Sequence, residues 1–107
     1  MRQITPGELK AWLDDAGREP PVMLDVREPW EVQIAAIPGS LHMPMGEVPA
    51  RAGEIDPEAP VVAICHHGGR SMQVAAFLEK SGYARVHNLT GGVDAWARTI
   101  DPQMPVY

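Results

Sequence analysis

The chain has 107 residues, of which 45% are hydrophobic and 21% charged, which suits one globular domain with a core of its own. Its formal net charge of −5 argues against a nucleic-acid partner held by bulk charge, though not against a small local positive site. The single cysteine excludes an internal disulfide, no apolar run approaches the ~20 residues of a membrane helix, and the N-terminal MRQITPGELK lacks the apolar segment of a secretory signal. The expectation is a cytoplasmic protein with no membrane partner.

Thr5, Pro6 and Glu8 stand as N-cap, N1 and N3 of a capping box. Leu9, Trp12, Leu13 and Ala16 follow at i, i+3, i+4 and i+7, so the spacing predicts a helix with one apolar face, stopped at Gly17. VMLDV (22–26) has the length and composition of a strand. EPWEVQIAA (28–36) predicts a short helix with Pro29 in its first turn, IPGS (37–40) a turn, and LHM (41–43) a short strand. GEVPARAGEI is a weak helical segment interrupted by Pro49, followed by a DPEAP loop. VVAIC (61–65), continuous, β-branched and bounded by turn residues, is the strongest strand. MQVAAFLEKSG is the strongest helix, with Val74, Phe77 and Leu78 on one face, Lys80 in the last turn and Gly82 as its stop. RVHNL (85–89) is a further strand, and TGGVDAWAR a short helix with Thr90 as N-cap. The tail DPQMPVY, with two prolines, is expected to be irregular. Strands alternating with helical patterns point to an α/β domain, residues 1–107, with a mostly parallel sheet.

Chemistry concentrates in CHHGGRS (65–71). In open α/β sheets ligands bind beyond the carboxyl ends of strands, and Cys65 stands between the strongest strand and the strongest helix. Gly68 and Gly69 let the backbone bend so that N–H groups point inward, a nest that favours an anion. A thiol placed there titrates below its free value. Arg70 adds a planar, fixed positive charge, and His66 and His67 add more when protonated. A lone cysteine is more often a small buried hydrophobe, but this setting favours a nucleophile. Cys65, His66 and His67 are adjacent and do not match the spacings of tetrahedral metal sites, so neither metal nor cofactor is expected. His42 and His87 read as structural or surface residues, and Trp12, Trp30 and Trp96 as core or edge packing.

CHHGGRS also resembles the C-x-x-G-x-R-S loop of rhodanese-like sulfurtransferases. LDVREPWE (24–31), IPGS (37–40) and LTGGVDAW (89–96) resemble that family's other segments, in the family's order. The resemblance implies a rhodanese-like fold, a central parallel sheet of about five strands with helices on both faces. It further implies that Cys65 attacks the outer sulfur of a small anionic donor such as thiosulfate and becomes a persulfide. The backbone N–H groups of His66, His67, Gly68, Gly69, Arg70 and Ser71 would stabilise that sulfur, Arg70 would help hold the donor, and cyanide or a thiol would take the sulfur in a second step. With no other thiol in the chain, the acceptor comes from outside, as a small molecule or a partner protein. Arg27 has two readings, a charge near the loop that steers donors or a member of an ion-pair network that pins it; for Asp25 and Glu31 the network is favoured. Ala35 and Ala36 stand where the family often has Gly-His, and RTIDP replaces a Gly- and Pro-bearing continuation.

Two rivals remain. Related folds with a C-x5-R loop act as phosphatases or arsenate reductases, whereas Cys65 and Arg70 are separated by four residues. The smaller ring suits a sulfur ~2 Å beyond the first better than a tetrahedral phosphoryl group. The other rival is a non-enzymatic regulatory or sulfur-carrier module directed to a protein partner.

Overall fold

The computed structural model describes residues 1–107. Five strands form one sheet in the order β1-β5-β4-β2-β3, and every pairing is parallel. The strands are β1 (Arg2–Ile4), β2 (Val22–Asp25), β3 (Leu41–His42), β4 (Val61–Ile64) and β5 (Val86–Leu89). The helices are α1 (Pro6–Asp14), α2 (Pro29–Ile34), α3 (Val48–Arg51), α4 (Gly69–Lys80) and α5 (Gly92–Thr99). None is long and apolar enough to cross a membrane.

Residue alternation along the central strand divides the core in two. Val61, Ala63 and Cys65 face α3 and α4, joining Leu24, Val48, Val74, Ala75 and Leu78. Val62 and Ile64 face α1 and α5, joining Leu9, Trp12, Val93 and Trp96. Each face of the sheet is thus covered by helices, as parallel strands require, and the four residues of β4 are all buried. That double burial is why VVAI reads as a continuous apolar run.

β1 is the element absent from the sequence reading. It is a three-residue edge strand in which only Ile4 is buried, so no alternation marks it. It docks on β5 with Ile4 opposite Leu89. The capping box of α1 forms, with the Glu8 N–H donating to Thr5 Oγ1 at 3.1 Å and the Thr5 N–H to Glu8 Oε1 at 2.8 Å. The expected stop at Gly17 is corrected: α1 ends at Asp14 with Asp15 extended. Asp15 Oδ1 accepts from the Gly17 N–H at 2.9 Å, a local turn that competes with helix. Leu13 and Ala16 are accordingly exposed. The GEVPARAGEI segment divides into α3 between two short 3₁₀ turns, with Pro49 in the first turn of α3.

In α4 the buried face is Val74, Ala75 and Leu78, and Phe77 is exposed. The helix starts earlier than its apolar pattern, so Arg70 and Ser71 lie in its first turn. Gly82, at φ +99°, ends it. Thr90 does not cap α5; Gly91, at φ +77°, takes that place, because the chain needs a left-handed residue there.

Candidate active site

The connection from β2 runs outward to β3, and that from β4 runs the other way to β5. The crevice beyond the carboxyl ends of β2 and β4 is therefore the switch point where a ligand is expected. Cys65 follows β4 there and is 1% exposed. The loop after it turns through Gly68, at φ +111°, straight into α4. Its back rests on α5: the N–H groups of Val93 and Asp94 donate to the carbonyls of Cys65 (2.9 Å) and His66 (3.1 Å). Gly92, at φ +59°, makes that approach possible, since a Cβ would fall 2.3 Å from the Cys65 oxygen.

The Gly68 N–H points at Cys65 Sγ from 3.0 Å, and the Ser71 hydroxyl lies 3.3 Å away. Burial pushes the thiol up, but hydrogen bonds from the Ser71 hydroxyl and from the N–H groups of Ser71, Gly68 and His67 outweigh it and hold the thiol below its ordinary value. Ser71 also faces Asn88 Oδ1; its one proton serves either the amide oxygen or the sulfur. Asn88 in turn donates to the Gly68 carbonyl at 3.3 Å and to Gln3 at 3.0 Å. Asn88 is a participant the sequence reading missed. An asparagine near the carboxyl end of the RVHNL strand, the end of an α/β sheet where ligands bind, is the available signal.

Arg27 is 0% exposed. Its guanidinium donates to both Asp25 oxygens (2.9 and 2.7 Å), to the carbonyls of Ala35 (2.6 Å) and Glu31 (3.4 Å), and to the Tyr107 hydroxyl (2.7 Å). Each guanidinium N–H is thereby engaged. Ala35, one of the positions departing from the family pattern, supplies that carbonyl and packs its methyl in the core. Arg70 is 37% exposed and holds Glu31 through two bonds, at 2.6 and 2.9 Å. The Arg70 guanidinium leads the causes that draw the Glu31 carboxyl down to about 2, ahead of the opposing burial. The network is thus two pairs, Asp25 with Arg27 and Glu31 with Arg70. His42 Nε2 meets the Arg27 carbonyl at 2.7 Å, and His87 Nδ1 the Val61 carbonyl at 3.2 Å.

His66 stacks on Tyr107, with ring centroids 3.8 Å apart and planes 4° off parallel. Burial and the neighbouring His67 push its pKa below the ordinary value. His67 points outward, 67% exposed, with Nδ1 3.9 Å from Asp94. His66, His67 and Asp94 are the side chains here that could hold a metal, with candidate atoms within 4.8 Å of one another; Asp94 is already paired with Arg98 at 3.0 Å. Trp12 and Trp96 are core residues, whereas Trp30 is 60% exposed and rests edge-on against Tyr107.

The family described as Rhodanese-like domain matches residues 5–99. A sulfurtransferase of Allochromatium vinosum is 43% identical over 83 residues, covering 78% of each chain. The rhodanese-like/PpiC domain-containing protein 12 of Arabidopsis thaliana chloroplasts is 39% identical over 89 residues; the match covers 79% of this chain but 30% of that longer protein. Among solved structures, SSP1007 from Staphylococcus saprophyticus superposes with a TM-score of 0.84 at 34% identity, covering 94% of this chain and 97% of that one.

Proposed function

The chain belongs to the rhodanese-like domain family, and on that premise we propose that it is a sulfurtransferase of the thiosulfate type, working through a Cys65 persulfide. The Cys65 thiolate attacks the outer sulfur of thiosulfate. A bond forms from Sγ to that sulfur, the donor's S–S bond breaks, and its electron pair leaves on sulfite. The inward N–H groups and the Ser71 hydroxyl then hold the anionic outer sulfur as they hold the thiolate. Cyanide or a thiolate attacks that sulfur in turn and returns the electron pair to Cys65. Arg70, half-exposed at the mouth, attracts the anionic donor. Arg27 acts from beneath, holding the wall that carries Glu31.

One observation carries the reading: the chain's only thiol sits in a cradle of donors that favours its anion. The four-residue spacing to Arg70 favours a small sulfur over a phosphoryl group in that cradle, and the Allochromatium relative is itself named a sulfurtransferase. Partner-directed sulfur delivery uses the same persulfide and differs only in the acceptor. The test is thiocyanate production from thiosulfate and cyanide. Wild type is expected to produce it and Cys65→Ala to lose it. Arylphosphate hydrolysis, with no thiocyanate from any sulfane donor, would overturn the assignment.

A further inference from the structure

Tyr107 lies in the irregular tail, far along the chain from every residue it touches, yet its position is determined from several sides. Its hydroxyl accepts from Arg27 Nη1 at 2.7 Å and donates to Glu31 Oε2 at 2.9 Å. Its ring lies flat on His66 at 3.8 Å, and Trp30 supports its edge at a centroid distance of 6.1 Å. His66 Nε2 is buried without a hydrogen-bond partner.

Glu31 is the piece through which this reaches the site. Its Oε1 takes Arg70 Nη1 at 2.6 Å and the Glu28 N–H at 3.0 Å. Its Oε2 takes Arg70 Nη2 and Tyr107, each at 2.9 Å. The Glu28 N–H and Tyr107 thus fix the carboxylate plane, and the plane fixes where the Arg70 guanidinium points. A continuous chain runs Asp25–Arg27–Tyr107–Glu31–Arg70, from the floor of the sheet to the one half-exposed cation beside Cys65.

We infer that Tyr107 is a positioning residue that aims Arg70 through Glu31 and so sets the preference of the Cys65 site for anionic over uncharged reactants. The inference rests on the sulfurtransferase reading for its biological meaning but not for its test, because two isosteric alkylating agents probe it directly. Iodoacetate and iodoacetamide both react by forming a Sγ–carbon bond with loss of iodide, and differ in charge. Cys65 is the only thiol, so the ratio of their rates reads the field that Arg70 presents to an incoming anion.

In Tyr107→Phe the ring stays and the hydroxyl goes. The iodoacetate-to-iodoacetamide ratio is expected to fall about 3- to 10-fold, the scale of one charge-assisted hydrogen bond lost one step from the site. The iodoacetamide rate should move less than about twofold, since the backbone donors around the thiolate are untouched. For thiosulfate the same variant should raise KM and leave kcat nearly unchanged. Trp30→Ala, which removes an exposed ring supporting Tyr107, should lower the ratio in the same direction by about twofold. An unchanged ratio in a folded Tyr107→Phe overturns the inference; should that variant not fold, an unchanged ratio in Trp30→Ala overturns it instead. A wild type that forms no persulfide while both ratios fall would sink the sulfurtransferase reading and leave the positioning role standing.

Discussion

Gly92→Ala perturbs the site from behind without touching any side chain in it. An alanine Cβ at that position would lie 2.3 Å from the Cys65 carbonyl oxygen, 2.5 Å from the His66 oxygen and 2.6 Å from the His66 carbonyl carbon. All three are backbone atoms, so no rotamer change relieves them. Helix α5 and the loop must separate by about 1 Å to restore ordinary contact. That movement breaks the hydrogen bonds from Val93 and Asp94 to those same carbonyls. Two such bonds cost about 0.5–1.5 kcal/mol each, and alanine at φ +59° adds about 1–2 kcal/mol. The sum is on the order of 3 kcal/mol, a large share of a typical folding free energy of about 5–15 kcal/mol. The loop that aims N–H groups at Sγ would be displaced as well, and a misplacement of about 1 Å can cost about 100-fold in rate. Urea unfolding and the pH dependence of Cys65 alkylation measure the two effects. Gly69→Ala is the matched control: it opens α4 as Gly92 opens α5, yet a Cβ there meets nothing within 4 Å and φ is not positive. It should be as stable as wild type or gain up to about 1 kcal/mol. Equal damage from both substitutions, or none from Gly92→Ala, would show that the close approach of α5 to the Cys65 and His66 carbonyls does not hold the loop.

Ser71→Ala removes a donor to the sulfur; the alkylation midpoint of Cys65 should rise by about one pH unit, and an unmoved midpoint would mean the hydroxyl serves Asn88 alone. Asp25→Ala leaves the buried Arg27 charge without its carboxylate and should cost about 3–5 kcal/mol in urea unfolding. Glu31 governs acid stability: its carboxyl lies at about 2 in the folded chain against an ordinary 4.5, so its contribution is full above pH 4.5 and is lost as pH falls through about 2. Because Arg70 is partly solvated, that contribution is about 1–3 kcal/mol. Glu31→Gln should therefore be less stable than wild type at pH 7 and lose less stability on acidification through this window, as read from urea midpoints at pH 7, 4.5 and 3.

What could be read from the chain, and what could not, follows from how local each feature is. β4 and the turn after it are legible because a doubly buried strand must be apolar throughout, and because a tight turn needs glycine at Gly68; α4 begins at Gly69, ahead of the apolar pattern that marks it from Met72. Apolar spacing finds a helix but not its exposed edge, so Leu13 and Phe77 were placed inside and lie outside. β1 is invisible because backbone pairing with β5, rather than side-chain pattern, makes it a strand. The site divides the same way. Cys65, Gly68, Arg70 and Ser71 come from one short segment and were found together. Arg27 was near enough in sequence to be suspected, but only the fold shows its guanidinium sealed between Asp25 and Tyr107. Tyr107 carries no local signal, since an aromatic residue in a proline-bearing tail gains its role only by where the tail runs.

In the proposed mechanism Cys65 becomes a persulfide in its cradle. Intact-mass measurement of the protein after exposure to thiosulfate tests it most directly. Wild type should gain about 32 Da, one sulfur, and lose it on reduction, while Cys65→Ala should gain nothing. A wild-type mass that stays unchanged with thiosulfate and with every other sulfane donor would contradict the account.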